Sequence, residues 1–435
     1  MTALAPDDTQ PGAWRAVWII VYVWTVAMLD RMILLLLMPG IKADLNLSDT
    51  EISLLHGLAF ALCFSIAGIP LGHLSDRVNR RNLLIAGTLG WGLATMACGL
   101  TSSFTGFFVA RMAVGVAQAV LAPAAISIVA DYFVSEKRGK PTALVLAAGM
   151  FGGAAANALG GLMLDWFANN PAPDLPLIGQ PRPWQAALMA AGIPSLLAAP
   201  LLLLMREPVR ERHTLNADGS TDFSVLAHFR QHGALFACLF VAFVIIAVAG
   251  NGVGNWWPAV FMRSGGLTPT ETGVLLGLLS VAGGVAAAVI GGFLSDWSAR
   301  KDAYTGRLKL TAACLVGQIG VLMVLFVPGN VPAVTAALAV SIVFSGAMGA
   351  ACYALLPDLV PPQGRGLLIA IYQMIGSLIG FGLGPTALAL VTNEVLQDES
   401  RVADAMMLFG IPGYALAVIA ALVAVPLLRK MRAGG

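Results

Sequence analysis

The sequence predicts an all-α polytopic membrane protein, with twelve transmembrane helices arranged as two pseudo-symmetric six-helix bundles. Three observations carry that prediction. Of the 435 residues, 58% are hydrophobic and only 11% charged, far below the charge of a soluble domain, so no water-facing surface can be assembled from this chain. Apolar stretches long enough to cross about 30 Å of hydrocarbon, about 20 residues each, recur along its whole length. The chain also repeats itself. Leu47-Ser48-Asp49-Thr50-Glu51 and Gly72-His73-Leu74-Ser75-Asp76 return, at one constant spacing, as Leu267-Thr268-Pro269-Thr270-Glu271 and Gly292-Phe293-Leu294-Ser295-Asp296. Duplicated halves in so apolar a chain are how many transporters build a site that opens to either side of a membrane.

The first six spans lie near 14–38, 51–73, 82–101, 105–133, 140–166 and 184–205, and the second six near 230–262, 270–297, 307–328, 332–356, 364–392 and 404–428. Residues 1–205 therefore read as an N-terminal bundle, 206–229 as a cytoplasmic linker and 230–435 as a C-terminal bundle. Basic residues accumulate in cytoplasmic loops. With the N terminus inside, the outer loops hold only Lys42, Arg182, Arg263 and Arg401, while Arg31 and Arg111 lie within spans. Every other residue of the 25 Lys and Arg falls on the inner side, so both termini are expected in the cytoplasm. The start, Met1 to Gln10, carries Asp7 and Asp8 without a basic patch and does not read as a cleaved signal, so the first apolar run is a retained helix.

Composition excludes several function classes. A net charge of +2, with its basic residues in short clusters, argues against nucleic-acid binding. Cys63, Cys98, Cys238, Cys314 and Cys352 fall inside apolar runs without CxxC spacing, which argues against disulfides and metal sites, so no metal and no cofactor is expected. An enzyme is not expected either, since neither HExxH nor G-x-S-x-G occurs. Ser48-Asp49-Thr50-Glu51 and Thr268-Pro269-Thr270-Glu271 fit the capping box and fix where the second and eighth spans begin. Pro171, Pro173, Pro176, Pro181 and Pro183 suggest a stiff, extended outer loop. Asn46-Leu47-Ser48 is a chance glycosylation match.

Gly72 to Arg81 between the second and third spans, and Gly292 to Lys301 in the equivalent place of the other half, resemble the signature loop of the major facilitator superfamily. The physics suits a cytoplasmic gate, because a glycine permits close helix approach and an aspartate pairs with arginine. Asp131 and Arg138-Gly139 recur as Asp358 and Arg365-Gly366. The expected gate is Gly72, Asp76, Arg77, Asp131 and Arg138 in the first half, with Arg77 paired to Asp131. In the second half it is Asp296, Arg300 and Arg365, with Trp297 standing where Arg77 does. Glycine runs at Gly149, Gly152, Gly153, Gly160 and Gly161 and at Gly376, Gly380, Gly382 and Gly384 suit close helix contact. Gly250 to Asn255 reads as a flexible or broken stretch and a candidate outer gate.

Within the spans, away from their ends, only Asp30, Arg31 and Arg111 are formally charged. A charge at mid-membrane costs at least about 2.5 kcal/mol, so such residues face a cavity and mark ion or substrate pathways. Asp30 and Arg111 lie at similar depth. Neighbours on a helix point about 100° apart, so Asp30 and Arg31 cannot share one face; Asp30 is the expected titrating group. The repeat sets Gly250 opposite Asp30 and Asn251 opposite Arg31, so the charged site belongs to the N-terminal half alone. Gln118, Asn157, Asn255, Trp256, Tyr353, Tyr372 and Gln373 are candidates to line the cavity, or else to bridge helices. His56 could sense pH, but reads better as a satisfied interface histidine.

Leu29-Asp30-Arg31, then Pro39 to Glu51, then Gly68-Ile69-Pro70-Leu71-Gly72-His73-Leu74-Ser75-Asp76-Arg77 resemble the Spinster branch of the superfamily, over roughly residues 29–166. The resemblance implies the twelve-helix fold and, by analogy with animal members, proton-linked movement of lysophospholipids or sphingosine-1-phosphate-like lipids. Compact loops point to a bacterial member in the cell inner membrane, acting as a monomer. The expected mechanism is alternating access, in which a proton on Asp30 weakens its attraction to Arg111 and frees that guanidinium for an anionic headgroup. The expected partners are protons, a lipid-like substrate and membrane lipids. The alternatives are a multidrug or small-metabolite exporter using the same proton site, an intramembrane enzyme, and a transport-dead receptor.

Overall fold

The apolar runs become helices in the computed structural model, which describes residues 10–133, 137, 139–176, 178–208, 229–302, 305–326, 330–356, 359–360 and 365–433. Among the described residues, 12 helices are long and apolar enough to cross a membrane. They are α1 (Ala13–Leu45), α2 (Asp49–Ser75), α3 (Arg80–Gly99), α4 (Phe104–Tyr132), α5 (Lys140–Asn169), α6 (Pro183–Leu203), α7 (Gly233–Ser264), α8 (Pro269–Lys301), α9 (Gly306–Phe326), α10 (Val331–Leu355), α11 (Ile375–Leu396) and α12 (Glu399–Met431). A helical lead-in, Arg365–Met374, precedes α11. A helix satisfies its backbone within its own segment, the condition for crossing hydrocarbon. Large apolar side chains such as Ile66, Leu278, Val289 and Phe293 are correspondingly exposed.

The chain divides into two compact units, Met1–Leu215 with Thr268–Leu278, and Asn216–Leu267 with Leu279–Gly435. Helix starts follow the capping chemistry in the sequence. Ser48 Oγ accepts from Glu51 N at 3.2 Å while Glu51 Oε2 accepts from Ser48 N at 2.9 Å, and Thr268 and Glu271 repeat both bonds. Asn79, Ser103 and Asn330 cap α3, α4 and α10 in the simpler way, each taking one orphan amide.

Two boundaries differ from expectation. α1 does not stop near residue 38 but runs through Pro39 to Leu45, where Asn46 turns left-handed with φ 50°. Tertiary contacts hold the added turns, because the Trp184 ring packs on Gly40 and its Nε1 donates to Asp44 at 2.5 Å. The proline-rich outer loop is not a plain extended cover. Leu175 and Gly179 bond each other's backbone at 2.8 and 2.9 Å, with Gly179 at φ +67° closing the turn.

Close backbone approach is what the glycine runs are for. A Cβ on Gly152 would lie 2.2 Å from the Thr25 carbonyl of α1, and one on Gly273 would lie 2.2 Å from the Asn157 carbonyl of α5. The Gly250 to Asn255 stretch is not broken, contrary to the sequence reading. α7 continues through it, and Asn251 Nδ2 and Asn255 Nδ2 donate back to the Ala247 and Asn251 carbonyls at 2.9 and 2.8 Å. Its glycines serve packing, since a Cβ on Gly252 would fall 2.5 Å from the Phe409 ring and 2.9 Å from the Gly384 carbonyl. The regular ladder instead loosens to π-helix at Leu54–Leu58, Val260–Ser264, Ile375–Phe381 and Val391–Leu396, a geometry often found at functional positions. Gly252→Val should therefore destabilise the second unit by about 1–3 kcal/mol through overpacking. Thermal unfolding of purified protein followed by intrinsic fluorescence would read this, and an unchanged midpoint would show that α7, α11 and α12 are not packed this closely.

Candidate substrate and coupling site

The charges of the first unit are sorted by the faces of α1. Asp30 is wholly buried against α3 and α6, where Ser195 Oγ donates to Oδ2 at 2.7 Å and Thr95 Oγ1 reaches the same oxygen at 3.5 Å. Ser195 in turn accepts from Trp91 Nε1 at 2.9 Å, so the serine is fixed as a donor toward the carboxylate. Oδ1 has no hydrogen-bond partner among the described residues. Arg111 lies near enough to act on Asp30 electrostatically, and among the described residues no ion pair joins the two. Arg111 is 2% exposed, and its Nε donates at 3.4 Å to the Leu55 carbonyl inside the π turn of α2.

Arg31, one residue on from Asp30, points the other way and is only partly buried. Its guanidinium carbon sits 4.2 Å from the centre of the Phe60 ring and 5.0 Å from that of Phe64, while that of Arg111 stands 5.6 Å from the same Phe60 ring. One aromatic face thus serves two cations, each gaining about 0.5–2 kcal/mol. Of the three in-span charges, Arg31 is the partly exposed one, and Asp30 and Arg111 are buried.

In the second unit the uncharged candidates divide. Tyr353 and Tyr372 line a cavity of about 470 Å³ together with Asn251, Ser345, Met348 and Ser377. Its wall includes the start of the π segment of α11, Ile375 to Ser377. Tyr372 stands edge-on to both Tyr353 and Phe243, with centroids 4.9 Å apart in each pair. Ser345 is held by Gln318 Nε2 at 2.8 Å, and Gln318 is in turn bonded by Ser341 Oγ at 2.8 Å. The sequence reading missed Asn251 and Ser345. For Asn251 the repeat held the signal, because it occupies the place of Arg31.

Two other candidates bridge helices, Gln118 and Trp256. Gln118 is buried and donates to the Ala27 carbonyl at 3.3 Å, tying α4 to α1. Trp256 is buried with Nε1 on the Pro385 carbonyl at 3.1 Å, and Asn255 bonds back along its own helix. Asn157 is partly buried where α5 meets Gly273, and His56 is wholly buried in the π turn of α2. Arg138 and Asp358 lie outside the described residues, as do the side chains of Asp76, Arg365 and Gln373.

The gate pairing also changes. Asp131 pairs with Arg80, not Arg77, at 2.5 Å; Arg80 Nε reaches Glu207 at 2.8 Å and its NH1 reaches Ser127 at 2.7 Å. Arg77 is exposed, whereas Arg80 is the buried one and turns inward at the start of α3. Glu207 also caps that helix by accepting from Arg81 N at 2.9 Å. Gly72 and Gly292 have open space beside them, so neither marks a close approach. Asp296 and Arg300 are exposed. The ionic centre of the second unit is Asp302, between α8 and α9, which takes Lys309 at 2.7 Å, Thr305 Oγ1 at 2.7 Å and Arg429 of α12 at 3.1 Å. The Lys309 ammonium, then the Thr305 hydroxyl and amide, hold its carboxyl well below the usual carboxylate range.

The profile of the Major Facilitator Superfamily matches residues 22–385. The chain belongs to that superfamily. It is a multi-pass secondary transporter working by alternating access, not an enzyme. An MFS-type efflux pump of Mycolicibacterium smegmatis is 28% identical over 401 residues, covering 89% of this chain and 86% of the relative. Protein spinster of Drosophila melanogaster is 24% identical over 304 residues, 66% of this chain and 46% of the relative. The crystal structure of a bacterial homolog of the human lysosomal transporter Spinster, inward-facing and unoccupied, superimposes with a TM-score of 0.77 at 20% identity, covering 97% of both chains. The fold is that of this Spinster homolog.

Arg80→Ala should cost about 1–3 kcal/mol, because it leaves the partly exposed Asp131 and Glu207 carboxylates without their cation, while Arg77→Ala should be close to neutral; equal unfolding midpoints for the two variants would contradict the pairing. The pH response of Asp302 follows from its lowered pKa. Its contribution is complete above the unfolded carboxylate value of about 3.9 and is lost only as pH falls through the lower folded value. Asp302→Asn should therefore lower the midpoint by one constant amount between about pH 5 and 8, and a difference that varies across that window would refute the assignment.

Proposed function

We propose that this transporter is proton-coupled and moves an amphipathic, anionic or zwitterionic lipid-like molecule, of lysophospholipid or sphingosine-1-phosphate type. The observation that carries the coupling is Asp30, a wholly buried carboxylate in a membrane helix with one oxygen lacking a hydrogen-bond partner. Such a group marks a proton pathway. Protonation there replaces a charge by an O–H, which loosens the hold on Ser195 and removes the field that Asp30 exerts on Arg111. Arg111 and Arg31 flank one aromatic ring, so a change in the field on one is felt by the other. Arg31, partly exposed and spread over Phe60 and Phe64, is the in-span cation that an anionic headgroup would meet.

The Spinster resemblance supports the lipid-like class, and the basic loop face supports cytoplasmic termini in the inner membrane, with the monomer as the working form. A second reading, export of amphipathic drugs or small metabolites by the same proton site, is favoured by the mycobacterial efflux pump that matches most of this chain. Proteoliposomes with an imposed pH gradient separate the two when lysophospholipids are run against cationic drugs and neutral metabolites. Asp30→Asn should abolish uphill uptake while leaving downhill exchange measurable, and unaffected accumulation would refute the coupling role. Arg31→Ala should weaken phosphate-bearing cargo by about tenfold or more, in line with loss of a charged contact. An equal effect on uncharged analogues would count against headgroup recognition.

A further inference from the structure

The polar cavity of the second unit does not end at its aromatic wall. A second cavity of about 310 Å³ adjoins it, lined by Phe236, Phe240, Leu356, Leu359, Leu368 and Ile371 among others. Tyr372, Phe243 and Ile375 line both spaces. One side therefore offers Asn251, Ser345, Tyr353 and Ser377, while the other offers hydrocarbon alone, with Tyr372 as its single polar side chain at the boundary. Both volumes fall within the range of about 300–1,000 Å³ typical of ligand sites. The Tyr372 ring is pinned between Tyr353 and Phe243 by two edge-on contacts, each adding about 0.5–1.5 kcal/mol beyond burial. It is thus a fixed partition and not a loose side chain. Ala237 and Phe240 line the apolar space and are exposed, so that space has an open flank.

We infer that the second unit holds a two-compartment subsite for a single-chain amphiphile, the headgroup resting against Asn251, Ser345 and Tyr353 and the aliphatic chain lying beyond Tyr372 in the Phe236, Phe240 and Leu368 pocket. The occupant follows from complementarity. A purely polar solute leaves the apolar compartment empty, and a purely apolar one leaves the amide and hydroxyls of the other unpaired. Only a molecule with one polar end and one flexible apolar end satisfies both across a shared wall. The aromatic boundary makes Tyr372 the residue that fixes orientation and Ala237 the residue that fixes how much chain is accepted. This assignment rests on the lipid-like reading of the cargo and locates it.

The test uses the full protein in nanodiscs with lysophosphatidylcholine carrying a photoreactive diazirine at the chain end, and separately on the headgroup, with labelled peptides mapped by mass spectrometry. Chain-end label should fall on Phe236–Phe240 or Leu368–Ile371, and headgroup label near Ser345 or Tyr353. Ala237→Trp should reduce chain-end labelling and weaken competition by long-chain alkyl phosphocholines about tenfold, leaving short-chain competitors unchanged. Phe240→Ala, which widens the pocket, should favour longer chains. Chain-end label confined to the first unit would overturn the inference. So would equal labelling by a two-chain phosphatidylcholine, which marks surrounding bilayer lipid only. Labelling as expected without flux would leave the subsite standing and remove the transport of lysolipid, whereas lysolipid flux with label elsewhere removes the subsite and leaves the cargo.

Discussion

A chain whose outer surface must dissolve in hydrocarbon has to hide each in-span polar group among its own helices, and that constraint organises this protein. It explains why Asp30 turns toward Ser195 and Thr95, why Gln118 spends its amide on a backbone carbonyl of α1, and why Trp256 aims its indole nitrogen at Pro385. In the first unit Arg31 is laid over Phe60 and Phe64; in the second, Asn251 and the two tyrosines line a cavity. The same constraint requires the glycine contacts, because helices in lipid associate by close packing and not by hydrophobic exclusion.

The two halves began as copies and have diverged in chemistry more than in form. Equivalent positions on the first helix of each half carry Asp30 and Arg31 in one and Gly250 and Asn251 in the other. One unit therefore holds formal charge at depth and the other holds neutral hydrogen-bonding groups beside an apolar pocket. Among the described residues, Asp30 and Arg111 are both buried in the first unit, with the Phe60 ring beside Arg111. At the basic face the halves differ as well. The first carries a buried arginine between two carboxylates, the second an aspartate that gathers two cations and a threonine.

Where the sequence reading failed, the reason is orientation. Arg77 and Arg80 both follow the repeated loop motif, and nothing in their spacing says that α3 begins at Arg80 and turns that side chain inward to Asp131 and Glu207. Glu207 was read as part of a linker, yet it returns to cap α3. Gly250 to Asn255 looks flexible as a string of letters, and becomes rigid because Phe409 and Gly384 occupy the space that side chains would have filled. Asp302 was invisible because its three partners come from positions far apart in the chain or across a short turn. Asn251 was missed although the repeat sets it at the place of Arg31.

The sequence by itself determined the twelve helices, the two repeated halves, the caps that start α2 and α8, and the short roll of in-span charges, because each of these depends on local composition or on a pattern carried along one strand of residues. Only the tertiary structure decided which way each charge faces, which arginine meets Asp131, and that the tyrosines of the second unit stand between a polar and an apolar space. Those outcomes depend on helix rotation and on neighbours distant in sequence. A rotation of about 100° between successive residues is enough to separate a sealed carboxylate from an open guanidinium at adjacent positions.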